Sequence, residues 1–309
     1  MSESDAREDL SFYQEQSEIS SPGKYEPLFA GLPTGIHELA RVVQGLLLHQ
    51  FWILDEKNYG ITAKELKTSG RNLNDEINLR SVEEILDLAV QRDDRPLTAP
   101  RGPKKRVVGN CRDYSVLLVS LLRQQGVPAR VRSGVARYFL PQEGHLEDHF
   151  IAEYWNAGEQ RWQRADAQID AVQRKALGIS MDMTDLPPNQ FLDAAESYAE
   201  LTEGRVAPEK IGIFDFKGEM YVHYKLISDL ACVNSVEVLP WEGWGICEGL
   251  GALSEEDLEL LEKIAGILAK MSEGTRGWRE ARKLFETHPK LKIPEDYQPH
   301  YFELPAFND

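Results

Sequence analysis

The feature that most constrains this 309-residue chain is a long apolar segment that directly follows a Gly-Asn-Cys step. The stretch Val107–Arg132 reads VVGNCRDYSVLLVSLLRQQGVPARVR. Nearly every residue of Val116–Leu122 is apolar, which predicts a helix that is buried on most of its faces at the centre of the fold. We expect this helix to span about Cys111–Gln125, with Gly126 as its C-cap and Pro128 just beyond.

After this helix the hydrophobic pattern changes from a helical period to alternation. Ala129–Phe139 alternates arginines with apolar residues, and both His149–Trp155 and Arg161–Ala165 are typical of strands. Asn156–Gly158, between the last two, predicts a hairpin turn. A buried helix followed by successive antiparallel strands predicts the α+β class.

Four regions are predicted along the chain. Residues 1–27 are polar and predict an N-terminal arm. Residues 28–100 predict a helical region, residues 101–175 hold the central helix and its strands, and residues 176–309 predict a mixed α/β region that packs on them.

Several elements of the flanking regions are also predicted. An amphipathic helix is expected from about Thr34 to Trp52, and Ser81 begins another helix with a capping box to Glu84. In the C-terminal region, Ile211–Phe216 and Met220–Leu226 predict a hairpin, and Ser254 begins a helix. A last helix is expected over roughly residues 278–287.

The formal charge of −16 argues against nucleic acid and against an anionic membrane surface as partners. No apolar run is long enough to cross a bilayer, and the acid-rich first residues do not resemble a secretory signal. The three cysteines are odd in number and lack CxxC spacing, which is typical of free thiols in a reducing compartment. We therefore expect a cytoplasmic protein.

Cys111 is predicted to stand at the first turn of the central helix. There the helix dipole and the free backbone N–H groups favour a thiolate, which is the nucleophilic form of cysteine. The surroundings add to this effect, because residues 101–137 contain nine Lys or Arg and a single acid. The ordinary role of a lone cysteine is that of a small buried apolar residue, and Cys232 and Cys247 fit that role.

A nucleophilic cysteine needs a base, and the base needs a group that orients it. His149 begins an apolar strand and is held more precisely than His145, which lies in a loop. Asp166 follows the next strand and can reach His149 across the hairpin, with Asp170 as a weaker choice. Zinc binding by Cys111 and the two histidines is the alternative, but the HExxH context is absent and no fourth ligand is specified.

The segment GNCRDYSVLLVSLLRQQGVPARVRSG resembles the region around the active-site cysteine of the transglutaminase-like superfamily, in particular of its bacterial-type domain proteins. The continuation is similar as well: DHFIAEYW places a histidine at the start of a strand, and a Trp-x-x-x-Asp run ends at Asp166. The resemblance implies a papain-like α+β core with Cys111 as nucleophile, His149 as base and Asp166 as its orienting group. It covers residues 101–170. Ile151 and Ala167 depart from the family pattern, which usually has Trp and Pro there.

The resemblance implies acyl-group chemistry on an amide or thioester through an acyl-enzyme, with no metal or organic cofactor. The products are those of an amide or peptide hydrolase, or of an acyl or amine transferase. The alternative is a non-catalytic scaffold that binds a peptide or protein partner. Asn110 and Trp52 are the candidate side-chain donors for the oxyanion.

The substrate is expected to be a peptide, an amide or a carrier-bound acyl group. Arg132, Arg137 and the Lys104–Arg106 run would suit an acidic substrate if they shared a surface. Otherwise they balance the protein's own carboxylates.

Overall fold

The computed structural model describes residues 9–140, 143–272 and 277–307. The helices that carry the argument are α1 Ile36–Leu46, α2 Glu56–Tyr59, α3 Ala63–Thr68, α4 Leu73–Ile77, α5 Val82–Arg92, α6 Cys111–Gln124, α7 Ala171–Leu177, α8 Ala194–Thr202, α9 Gly218–Val233, α10 Glu255–Ser272 and α11 Trp278–Thr287. The strands are β1 Leu47–His49, β2 Val107–Gly109, β3 Ala129–Ala136, β4 Leu146–Asn156, β5 Arg161–Ala165, β6 Phe191–Asp193, β7 Ile211–Ile213 and β8 Phe216–Lys217. The α+β class predicted from the sequence is confirmed.

The central helix α6 is buried along its length from Cys111 to Arg123. Its N-terminus is fixed by a capping box, in which the Asn110 side chain accepts from the Arg112 N–H and Asp113 accepts from the Asn110 N–H. At the other end Gly126 takes a φ of +73°, which ends the helix as the sequence predicts. Local signals thus place both ends of the element that carries the cysteine.

The sheet is built around the longest strand, β4. Strand order is β6-β3-β4-β7-β8, and β5 also pairs with β4. Strand β5 pairs antiparallel with the second half of β4, whereas β7 pairs parallel with its first two residues. Both strands therefore share one edge of β4, and they leave the β4 segment near His149 between them.

Helices pack on both faces of this sheet. On β3, Ala129 and Val131 belong to the apolar core around α6, whereas the alternate Arg132 faces α9 and pairs with Asp229 there. The predicted core, a cysteine-bearing helix packed on a largely antiparallel sheet, is therefore present. The alternation of residues 129–136 therefore reflects the two faces of β3: one face packs on the apolar core around α6, and the other meets charged side chains of α9.

A second, two-stranded sheet connects the N-terminal region to the central helix. Strands β1 and β2 pair in parallel, with His49 opposite Gly109. The sequence predicts a helix that continues to about Trp52, but α1 ends at Leu46 and the chain continues as β1. The helical prediction is wrong beyond Leu46 because β2 offers a partner that the local pattern does not reveal.

The predicted hairpin at Ile211–Phe216 and Met220–Leu226 is half wrong. Strands β7 and β8 do form a hairpin, but α9 begins at Gly218 and contains all of Met220–Leu226. This helix is buried on almost every side from Tyr221 to Val233, so no polar face marks a helical period.

The termini also pack on the body of the protein. Residues 1–8 of the predicted N-terminal arm lie outside the described residues. Within the described part of that arm, Tyr13 is fully buried and its hydroxyl donates to the Val233 carbonyl at 2.7 Å.

Across the part of the chain that the structure describes, no helix combines the length and apolar character needed to cross a membrane.

Candidate active site

Cys111 is the first residue of α6 and is 7% exposed. Its position follows from the capping box, which holds the Asn110–Asp113 turn. A Cβ added to Gly109 would lie 2.6 Å from the Asp113 carboxylate, so the glycine makes room for the cap. Burial raises the pKa of Asp113 to about 6, while the adjacent Arg112 guanidinium opposes that change.

His149 lies on β4 and contacts both predicted partners. Its Nε2 is 2.8 Å from Asp166 Oδ2, and its ring also interacts with the Cys111 thiol. Since Nε2 faces the carboxylate, Nδ1 is the nitrogen left for the cysteine. Burial by itself would lower the pKa of His149, but the Asp166 carboxylate and Cys111 outweigh burial and raise this pKa to about 10.

Asp166 is fixed by two further hydrogen bonds. The Tyr138 hydroxyl donates to Oδ2 at 2.7 Å, and the Gln168 N–H donates to Oδ1 at 2.8 Å. The register of β4 and β5 ends at Ala152 opposite Ala165, so Asp166 reaches His149 from just beyond the ladder. A carboxylate with both oxygens bonded can hold an imidazole in one orientation.

The other candidates that the sequence offered lie elsewhere. His145 is 3.7 Å from the exposed Glu143 carboxylate, and Asp170 caps α7 by accepting from the Val172 and Gln173 N–H groups. Among the residues that the structure describes, no group of three His, Cys, Asp or Glu side chains is arranged to hold a metal ion.

Cys111 and His149 lie in the wall of a cleft of about 1220 Å³. Its other walls include five segments: residues 49–52, residues 139–140, the β7–β8 hairpin, residues 240–251 and the C-terminal tail between Pro294 and Phe302. A cleft of this size accommodates a drug-sized molecule or several residues of a peptide. A nucleophile, a base and an orienting carboxylate beside such a cleft can form and resolve an acyl-enzyme.

Comparison with known proteins agrees with this geometry. The model of the transglutaminase-like superfamily matches residues 71–167, about a third of the chain. Residues 71–167 are a transglutaminase-like domain. The match begins before residue 101, where the sequence places the start of the core, and it includes Cys111, His149 and Asp166.

Two other comparisons add little to the family match. No curated protein sequence matches the chain. Among solved structures, a proposed cysteine protease from Cytophaga hutchinsonii is similar to 60% of this chain at 16% identity and a TM-score of 0.29. The match spans 47% of that protein's chain, and a TM-score of this size is too low to establish a shared fold.

Gln50 is a cleft residue outside the matched domain, and the sequence analysis did not single it out. It is 5% exposed, it lines the cleft beside Cys111, and its side-chain oxygen has no hydrogen-bond partner among the described residues. The β1–β2 register explains its position, because the Gln50 N–H donates to the Gly109 carbonyl at 2.9 Å. The signal in the sequence was the short segment Leu47–His49, which can pair with residues 107–109.

His49 was missed for the same reason. It is buried in the cleft wall, and burial lowers its pKa to about 3, with a further lowering by the His149 charge. It is therefore a neutral imidazole at physiological pH. Of the two donors proposed from sequence, Trp52 lines the cleft, whereas the Asn110 amide already donates to the Ile77 carbonyl at 3.4 Å.

The two tryptophans of Leu239–Gly245 lie in different places, one in the cleft wall and one in the core. Trp241 lines the cleft and stacks on Phe302 of the C-terminal tail at 4.7 Å between ring centroids. Trp244 is buried in the core, where its indole N–H donates to the Leu291 carbonyl.

The basic residues of the transglutaminase-like domain do not line the cleft. Arg132 is fully buried and pairs with Asp229 at 2.8 Å, while Arg137 pairs with Glu200 at 2.8 Å. Arg132 belongs to what we call the arginine cluster, which consists of Arg130, Arg132, Arg164, Glu153, Asp193 and Asp229.

Proposed function

We propose that this protein is a cysteine-dependent amide or peptide hydrolase that works through an acyl-enzyme on Cys111. The observation that carries the proposal is that Cys111 and His149 lie in the wall of one large cleft, with the Asp166 carboxylate 2.8 Å from the His149 ring. The family match at residues 71–167 supports it.

The first half of the reaction forms the acyl-enzyme. The Cys111 thiolate attacks the substrate carbonyl carbon, and a C–S bond forms as the carbonyl becomes an oxyanion. His149, protonated at neutral pH, gives its proton to the leaving nitrogen as the C–N bond breaks. The Cys111 backbone N–H and the side-chain amide of Gln50 are the donors that we assign to the oxyanion, with the Trp52 indole as the other candidate.

The second half releases the acid. His149, now neutral, takes a proton from water, and the resulting hydroxide attacks the thioester. The C–S bond breaks and the sulfur leaves as thiolate, which restores the starting ion pair. A cleft of about 1220 Å³ leaves room for this water beside an acyl group, so hydrolysis is favoured over transfer to an amine.

Release of a fluorescent amine from a pool of peptide amides tests the proposal. We expect Cys111→Ala and His149→Ala each to lower the rate by at least about 10³-fold, and added hydroxylamine to divert product to the hydroxamate. Cys232→Ala is the matched control, because Cys232 is fully buried in the core and does not line the cleft. Binding of peptides by the wild-type protein without any amine release would overturn the hydrolase and favour the scaffold.

We also propose a cytoplasmic location. Cys111, Cys232 and Cys247 are all free thiols in the structure, which suits a reducing compartment. Fractionation of cells that produce the protein tests this directly.

A further inference from the structure

The charged groups that line the cleft beside Cys111 are mostly acidic. Four carboxylates line it, those of Glu147, Asp148, Glu248 and Asp296, and no lysine or arginine of the described residues does so. The His149 imidazolium is the cationic group in the wall, and Asp166 balances its charge at 2.8 Å. This differs from the acidic substrate that the basic sequence around Cys111 would suit. A cleft lined by one sign of charge concentrates ligands of the opposite sign.

Asp148 is already neutralised within the protein. The ammonium group of Lys225, which is fully buried on α9, lies 2.6 Å from Asp148 Oδ1. The Tyr221 hydroxyl donates to the same oxygen at 2.8 Å. This carboxylate therefore serves the packing of α9 on the sheet.

Glu147 has no such partner. It is half-buried on β4, two residues before His149, and it forms no ion pair or hydrogen bond through its carboxylate with the described residues. Buried glutamates elsewhere are paired, for example Glu76 with Arg71 at 2.6 Å and Glu237 with Arg123 at 3.2 Å. An unpaired carboxylate in a cleft wall is costly to the fold, and a cation bound there would remove that cost.

The surroundings of Glu147 support this interpretation. Burial and the neighbouring Asp148 charge raise the pKa of Glu147 to about 7, and Lys217 and His149 only partly oppose them. A bound cation would stabilise the ionised form.

The cleft also presents apolar groups that the fold does not cover. Leu140, Phe214 and Met220 are each at least 40% exposed and all line it. Phe214 has a φ of +49°, unusual for a bulky residue, at the tip of the β7–β8 hairpin, where its ring meets Phe51 edge-on at 5.6 Å. A strained, exposed aromatic side chain beside a nucleophile is suited to contact a ligand.

Gln50 gives an independent indication of the ligand. Its side chain is almost completely buried in the cleft wall, yet its oxygen has no donor among the described residues. A buried acceptor without a donor costs free energy until a ligand supplies an N–H. The Gln50 oxygen thus offers the ligand an acceptor, while the NH₂ group of the same amide stays available to the oxyanion.

We propose that the substrate carries a positively charged ammonium or guanidinium group beside an apolar group, and that Glu147 is the residue that pairs with the charge. The exposed face of Phe214 then receives the apolar part, and the Gln50 oxygen accepts an N–H of the substrate. This specificity rests on the proposed function, since it assumes that the carbonyl is delivered to Cys111.

Three methanethiosulfonates test the charge preference at the cysteine itself: the trimethylammonioethyl and sulfonatoethyl reagents, which are of similar size and opposite charge, and the smaller, neutral methyl reagent. Each reacts by attack of the thiolate, which forms a disulfide and releases methanesulfinate. The rate at Cys111 is read at pH 8 by peptide mass spectrometry. We expect the cationic-to-anionic rate ratio to exceed the ratio for 2-mercaptoethanol by at least about tenfold.

Variants of Glu147 test whether this residue causes the preference for the cationic reagent. We expect Glu147→Gln to reduce the ratio at least about threefold and Glu147→Asp to retain it, with each charged reagent's rate taken relative to the same variant's rate with the neutral reagent. Glu159→Gln, which removes the same charge at the far end of the hairpin, should leave the ratio within about twofold. A wild-type ratio equal to that of 2-mercaptoethanol, or an equal loss in both Gln variants, overturns the proposal.

The reaction with the neutral methyl reagent distinguishes a failure of the proposed function from a failure of the proposed cationic substrate. If Cys111 reacts no faster with this reagent than Cys232 does, the nucleophile and with it the proposed function fail. If Cys111 reacts fast and depends on His149 but shows no charge preference, the hydrolase stands and the cationic substrate is refuted.

Discussion

Two charged regions of this molecule lie on the same strand, β4, and they differ in how their charges are balanced. In the arginine cluster, Glu153 is 2.8 Å from Arg130 and 3.0 Å from Arg132, and all three side chains are buried. Six residues earlier, Glu147 faces the cleft without a cation. The first arrangement holds the sheet to its helices, whereas the second leaves a charge to be met by a ligand.

The pKa values of Glu153 and Glu147 are shifted in opposite directions, in keeping with this difference in pairing. Burial would raise the pKa of Glu153, but three arginines hold it well below its usual range. For Glu147 burial prevails and the pKa is raised. On β4, Glu153 is thus a structural carboxylate, whereas Glu147 is the one that we propose meets a ligand.

Removing a charge from the arginine cluster should have the largest effect. Arg132→Met leaves Asp229 and its neighbours buried without their main cation, so we expect a loss of about 3–5 kcal/mol in the free energy of unfolding. The measurement is urea denaturation at pH 7. Arg161→Met is the matched control, because Arg161 forms exposed ion pairs with Glu159 and Asp185 and should cost about 1 kcal/mol or less. Equal losses in the two variants would contradict the comparison.

The next largest effect is expected for Asp166, the carboxylate that we propose orients His149. Asp166→Asn should lower kcat on a peptide amide by about 10²- to 10³-fold, because His149 would lose the charge that holds its orientation and protonation. Asp170→Ala removes a helix cap and the acceptor of the Tyr59 hydroxyl, and should cost about 1–2 kcal/mol of stability with kcat nearly unchanged. If Asp170→Ala lowers kcat as much as Asp166→Asn, the assignment of Asp166 is wrong.

The charge on His149 should also appear in stability. Its pKa is about 10 in the folded protein and near 6.5 when unfolded, so the protonated ring stabilises the fold fully below about pH 6.5. That contribution is lost as pH rises through about 10. The difference in unfolding free energy between wild type and His149→Ala should therefore shrink steadily from pH 6.5 to pH 10. A difference that is constant over this range would show that no such ion pair exists.

The smallest effect concerns the basic residues outside the cleft. Replacing Lys104 and Lys105 together by Ala should change kcat/KM by less than about twofold, because neither lines the cleft. A tenfold rise in KM for an acidic peptide would instead restore the acidic substrate that the sequence suggested.

The sequence predicts the parts of this fold that local patterns determine. Both ends of α6 follow from Asn110, Asp113 and Gly126, and the strands that carry His149 follow from alternation. The candidate nucleophile, base and orienting group lie on those elements, so their proximity could be anticipated.

The features that the sequence did not predict depend on contacts between segments that are far apart along the chain. Gln50 reaches the cleft only because β1 pairs with β2, nearly sixty residues away. The tail residue Phe302 forms a wall because its N–H donates to Asn78 and its ring stacks on Trp241, contacts that no local pattern encodes. Of the two interpretations of Arg132, the one in which it balances the protein's own carboxylates is confirmed, but its partner Asp229 could not be named because it lies in a helix that the sequence pattern predicts as a strand.

The most direct test of the account is the rate of iodoacetamide labelling at each cysteine, measured against pH by peptide mass spectrometry. Burial raises the pKa of Cys232 far above its usual value and that of Cys247 to about 11, so both serve as slow internal references. We predict that Cys111 labels at least about tenfold faster than either at pH 7, and that His149→Ala abolishes the advantage. Equal labelling of the three cysteines, or an advantage that survives in His149→Ala, would contradict the nucleophile on which the account depends.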